Sequence, residues 1–170
     1  MGPGCANNLA RERRASESDV ITIAIQNRQR AVTLDLKWLS RFAEAALPAC
    51  AGCSGDGGFA LSKIEDVTVA IVSDRRIAEI HRRFMNIDGA TDVITFTEGD
   101  VAVSAETARS RAAEFGHRTE EEIALYIVHA LLHLNGFDDT TPRAAARMRK
   151  VQERIWRAAL AQVPPPRLDS

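Results

Sequence analysis

No run of about 18 apolar residues occurs in the chain, so no spanning helix is expected. No apolar stretch follows the first basic residues either, which argues against an ordinary secretory leader. Met1-Gly2 opens like an acylation signal, but Ala6 stands where serine or threonine is required. Cysteine is scarce and odd in number. The three, Cys5, Cys50 and Cys53, exclude a disulfide framework and make a reducing cytoplasm the expected compartment. Aromatics reach only 5%, so aliphatic side chains and alanine must fill the core, and Trp38 and Trp156 read as core or rim packing. Neither sign of charge dominates: 22 Lys and Arg face 23 Asp and Glu, for a net charge of −1. A globally basic nucleic-acid binder is thereby excluded, and any surface for a polyanion has to be a local patch.

What is present suits one domain. Hydrophobic residues make up 45% of 170, and charged residues 26%. Residues 1–19 carry Arg11, Arg13 and Arg14 without apolar periodicity and read as a disordered tail. Residues 20–162 read as a single domain, and 163–170 as a proline-rich tail. β-branched alternation places strands at 20–25 and 67–72, the second apolar on both faces, with shorter ones at 93–97 and 101–104. Gly99-Asp100 predicts a tight reversal between the last two. Thr33 is expected to cap a helix over 34–47 that ends near Pro48, and Cys50 to Gly58 to form a flexible loop. Asp74 is expected to cap a helix over 75–84, and Gly116 to close one over 105–115. Thr119 and Glu122 suggest a capping box for a helix to Leu134, stopped by Asn135-Gly136. Pro142 opens a last helix to about Ala161. The pattern is α+β: about four strands in a mixed sheet, packed with about five helices. The helix over 120–134 is apolar on nearly every side, hence central and buried.

His129 and His133 lie four residues apart on that helix, so both rings leave one face and can meet one ion. Two polar rings buried without partners would be costly, which favours metal binding over a purely structural role. Zinc takes such nitrogens in a tetrahedron, and a catalytic site keeps one position for water. Gly136 then reverses the chain and returns Asp138 and Asp139 towards the pair. Ala130 follows His129 where the H-E-x-x-H metalloproteases carry their base, so an ordinary metalloprotease is disfavoured. With no side-chain base assigned, the expected nucleophile is water activated by the metal itself.

Other features are weaker signals. Arg143, Arg147, Lys150, Arg154 and Arg157 recur every three or four residues as one basic stripe, either an RNA-backbone track or a solvated helix face. Asp92 and Asp138 are candidates to receive the second ring N–H of a ligand histidine. Cys50-x-x-Cys53 is half a zinc knuckle or a redox pair, without the context of either. His81 and His117 read as surface residues at helix ends.

The segment His129-Ala130-Leu131-Leu132-His133-Leu134-Asn135-Gly136-Phe137-Asp138-Asp139 resembles the H-G-x-L-H-L-x-G-Y-D-H signature of the YbeY endoribonucleases. Thr91 to Phe96 is similar to that family's T-D-V-L-S-F, and Gly99 to Ser104 to its G-D-I-x-I-S. Order and spacing agree over roughly residues 66–139, and more loosely from about 20 to 160. The resemblance implies a single-strand-specific, zinc-dependent endoribonuclease. It would act in ribosomal RNA maturation, notably at the small-subunit 3′ end, and in ribosome quality control, with the ribosome as partner. It implies one Zn²⁺, or another divalent transition metal, on His129, His133 and the third position. That third position is histidine in the family and Asp139 here, an acceptable ligand that lowers the site's charge and could shift metal preference. The family's Y-R-x-K-D-x-P-T-D also departs here. Met85 stands at the arginine and Ile87 at the lysine, and neither can hold a phosphate. Two rival readings follow: a ribosome-assembly or RNA-binding factor that keeps the fold and metal without cleaving, and a metal hydrolase of another substrate.

Overall fold

The computed structural model describes residues 21–166. The expected N-terminal tail over 1–19, the start of the first strand and the last residues of the C-terminal tail lie outside them. The order is β1 (Thr22–Asn27), α1 (Leu36–Ala51), a 3₁₀ turn (Leu61–Lys63), β2 (Asp66–Val72), α2 (Asp74–Met85), β3 (Val93–Thr95), β4 (Asp100–Ser104), α3 (Ala105–Phe115), α4 (Thr119–Leu134) and α5 (Pro142–Gln162).

Four strands form one mixed sheet in the order β1-β2-β4-β3. β1 runs parallel to β2 and β2 to β4, so each of those steps needs a crossover, which α1 and α2 supply. β3 and β4 are antiparallel, joined at the expected reversal: Gly99 has φ 107° and donates to the Phe96 carbonyl at 3.0 Å. β2 is apolar on both faces because both are covered. Val67, Val69 and Ile71 join the large core under α1, α4 and α5, while Ala70 and Val72 meet Ile77 of α2 on the other side.

α4 is the centre of that core. Ile123, Ile127, Leu131 and Leu132 are wholly buried, and the helix contacts α1, α3, α5, β3 and β4. All-round hydrophobicity is therefore met by all-round packing. Two acids at its start are also buried, Glu120 and Glu122. Glu120 accepts the Asp35 N–H at 3.0 Å, and Glu122 faces His117 Nε2 at 2.6 Å. His117 is thus tied to a buried carboxylate rather than standing free at a helix end. Burial, with Glu122 adjoining, drives the Tyr126 hydroxyl pKa far above the ordinary tyrosine range.

Three caps differ from expectation. Asp35, not Thr33, starts α1 by accepting the Trp38 N–H at 2.9 Å. Ser73, not Asp74, caps α2, because the Asp74 carboxylate is drawn away to the Ser104 and Thr107 hydroxyls. Arg118, not Thr119, is the N-cap of α4, and its N–H is taken by Glu121 at 3.0 Å. Nor does Pro48 end α1. The helix continues to Ala51. Pro48 and Glu44 are both exposed, so the carbonyl that loses its helical donor is left to water. That extra turn carries Cys50 out of the supposed loop and into the core, where burial pushes its thiol pKa up to about 12.

Candidate metal centre

α4 ends at the site. Asn135 is its C-cap and Gly136, with φ 83°, adopts the left-handed conformation glycine permits. Phe137 N–H donates to the Leu132 carbonyl and Gly136 N–H to the His133 carbonyl, both at 3.0 Å, which is the Schellman arrangement. The reversal has a direct effect on chemistry. It places the Phe137 carbonyl 3.0 Å from His133 Nδ1 and returns Asp139 to the histidine pair.

A second segment holds this turn. The Asn135 side chain is buried; its Oδ1 accepts the Leu61 N–H at 2.9 Å, and its amide donates to the carbonyls of Cys50, at 2.9 Å, and Cys53. Gly55 N–H donates to the Asn135 carbonyl and Gly57 N–H to that of Gly136. A Cβ on Gly55 would lie 2.0 Å from the Gly136 carbonyl carbon. The glycine-rich stretch expected to be a flexible loop is therefore a backbone-to-backbone seam, and Gly55 and Gly57 are there for proximity to Gly136.

The imidazoles meet at Nε2, 3.0 Å apart, and Asp139 Oδ2 lies 3.7 Å from His129 Nε2 and 3.6 Å from His133 Nε2. On their far sides the rings face acceptors. His133 Nδ1 faces the Phe137 carbonyl, and His129 Nδ1 faces Gln152 Oε1 at 2.7 Å. A carbonyl oxygen can only accept, so each Nδ1 carries the proton and each Nε2 presents a lone pair. Three acceptors then converge with no donor between them, an arrangement that a shared cation relieves. Zinc bonds of 2.0–2.1 Å would set ligands about 3.3 Å apart at the edges of a tetrahedron, close to the spacings seen. The donor set fits a divalent transition metal, and His129, His133 and Asp139 can hold one.

Gln152 was not foreseen as part of the site. It sits on α5, 23 residues from the ring it orients, and only the packing of α5 on α4 brings them together. Asp138 and Asp92, the expected candidates, are engaged elsewhere. Asp138 accepts from Thr140 N–H and hydroxyl, bonds that hold its carboxyl below its ordinary pKa, and Asp92 accepts from Thr91 and the Val93 N–H. The basic stripe does form on α5, but about half a helical turn away from Gln152. Arg147 of the stripe is tied to Asp56, Arg154 to the Cys53 sulfur and Arg157 to Glu153. Its first members, Arg143 and Arg147, line a cavity adjoining that of the histidines.

The histidines open into a cavity of about 570 Å³ walled by Phe59, Met85, Val93, Ile94 and Phe137. Met85, at the position where the resemblance leads one to expect arginine, is thus on the cavity wall. Burial is the main cause that holds the His129 pKa below its ordinary value, with His133 adding to it. The neutral ring is therefore favoured in the fold. Since the unfolded chain binds a proton here more readily, stability of the metal-free protein should fall as pH drops below about 6.5 and on through the lower folded value. Urea denaturation of metal-free protein between pH 7 and 5 measures this, and His129→Gln should flatten the slope.

A helix-borne histidine pair closed by a carboxylate, on a mixed sheet with a central buried helix, defines a small α+β domain with a candidate mononuclear metal centre. The family model described as endoribonuclease YbeY matches residues 24–159, and the chain belongs to the YbeY family. It is 30% identical over 148 residues to endoribonuclease YbeY of Alkaliphilus metalliredigens, covering 78% of this chain and 92% of that one. The Heliobacterium modesticaldum protein of the same name is 30% identical over 126 residues, 62% of this chain and 75% of its own. That of Myxococcus xanthus is 37% identical over 108 residues, 56% of this chain, which spans only 36% of the longer relative. In fold, the chain is similar to the solution structure of a Thermotoga maritima protein, with TM-score 0.52 and 24% identity over 85% of this chain and 99% of that one.

Proposed function

We propose that this protein is a metal-dependent endoribonuclease whose single ion, zinc by preference, is held by His129, His133 and Asp139. The observation that carries the reading is the convergence of two proton-free imidazole nitrogens and a carboxylate oxygen, the two histidines also lining a cavity. When bound, a divalent ion there supplies Lewis-acid polarisation of a phosphoryl oxygen and an acidified water. The protein's own part is positional. Gln152 and the Phe137 carbonyl lock both tautomers, and the Schellman turn presents Asp139.

The cavity's mostly apolar lining favours single-stranded RNA, whose unstacked bases have apolar faces to bury. Family membership supports ribosomal RNA as the substrate, with action at the small-subunit 3′ end and in ribosome quality control in the cytoplasm. None of the described helices is long and apolar enough to cross a membrane. One observation favours the rival reading of a non-cleaving assembly factor: Met85, 45% exposed on the cavity wall, offers nothing to a phosphate.

Cleavage of ribosomal RNA fragments, followed through chelation and reloading with zinc, tests the proposal. The purified protein should carry about one metal per chain, lose both metal and cleavage on chelation, and regain cleavage on reloading. Binding of RNA without any cleavage by the zinc-loaded protein would favour the assembly factor.

A further inference from the structure

Among the described residues, no lysine or arginine lines the cavity into which both histidines open. His129 also lines a smaller cavity of about 180 Å³, together with Asp139, Ala145, Met148, Arg149 and Gln152. Its one cation is Arg149. This residue stands three positions before Gln152 on α5, so both leave the same side of the helix, the side that faces His129. It is not part of the basic stripe, which runs along another face. Among the described residues Arg149 makes no ion pair, whereas Arg147 and Arg157 of the stripe are each neutralised by an acid.

The charge balance of the site gives that position a use. A carboxylate at residue 139 contributes one negative charge more than a neutral imidazole would, which weakens the site's pull on an anionic substrate. A guanidinium lining the same cavity as Asp139 restores that charge. It also offers two parallel N–H donors matched to phosphate oxygens, which neither Met85 nor Ile87 can do. Resting on the nuclease reading above, we propose that Arg149 is the site's phosphate contact, donating from the α5 side to the non-bridging oxygens of the RNA phosphodiester held at His129, His133 and Asp139.

The test compares zinc-loaded wild type, Arg149→Gln and Arg149→Lys on a single-stranded RNA, with Arg75→Gln as a control on the exposed start of α2, away from the site. Removing a donor to developing phosphoryl charge should lower kcat/KM about 100-fold. Affinity for inorganic phosphate, measured calorimetrically, should fall about tenfold on loss of the charge-assisted pair. Metal content and melting temperature should not change, lysine should recover part of the loss, and Arg75→Gln should behave as wild type. Equal kcat/KM and equal phosphate affinity in wild type and Arg149→Gln would overturn the assignment of Arg149 and leave the nuclease reading standing. No cleavage by the zinc-loaded wild type would sink that reading, and this inference with it.

Discussion

Replacing His133 with alanine is expected to strip the protein of its metal and abolish RNA cleavage while the domain stays folded. Alanine is the better helix former, and the imidazole is 27% exposed, so its removal leaves a gap open to water rather than a sealed cavity. The fold loses one hydrogen bond, from Nδ1 to the Phe137 carbonyl. The site loses more, because His129 and Asp139 alone cannot enclose an ion. A graded series separates these effects. Gln152→Ala removes only the acceptor that orients His129, so metal affinity should weaken about 10- to 100-fold. Loss of a ligand in His133→Ala should exceed that and leave no metal after dialysis. Metal content, circular dichroism and cleavage rates on the same preparations measure the series. Wild-type turnover in His133→Ala would remove His133 from the chemistry.

Asn135→Ala should be the most destabilising single change near the site, at about 3 kcal/mol. The buried side chain satisfies the Leu61 N–H and donates to two carbonyls at the end of α1. Each such bond contributes about 1 kcal/mol net, and an orphaned buried N–H costs about 1–3 kcal/mol. For a domain of this size, the melting temperature should fall by about 6–12 °C. Asn135→Asp sharpens the test. It keeps the acceptor for Leu61 but turns a carboxylate oxygen towards carbonyls that need a donor, so it should destabilise at least as much as alanine. A variant melting with wild type would show that the seam is held by its backbone bonds alone.

The site was legible where its chemistry is local. Four-residue spacing and an all-apolar helix pointed to His129 and His133, and Asn135-Gly136 announced the turn that returns Asp139. What escaped depends on chain segments far apart in sequence. Gln152 reads as one polar residue on an amphipathic helix until α5 is laid on α4. Arg149 was hidden by the stripe beside it, because periodicity selects the longest row of like charges and not the one facing the site. The stretch from Cys50 to Gly58 has the composition of a loop, yet Gly55 and Gly57 serve close approach to Gly136. The starts of α1 and α2 slipped by one or two residues because each offered several side-chain acceptors, and tertiary contacts chose among them. Asp74, spent on Ser104 and Thr107, is the plainest case.

At the proposed metal site, the turn at Asn135-Gly136 couples folding to metal affinity. The proposed donor atoms come from both sides of it, two from the helix before and one from the segment after, and the turn is itself pinned by residues 50–61. An ion bound there stabilises the closed seam by mass action, by about 4 kcal/mol at a thousandfold excess over its dissociation constant. The reciprocal also holds. Substitutions at Gly55 or Leu61, which touch no ligand, should weaken metal binding by loosening the turn.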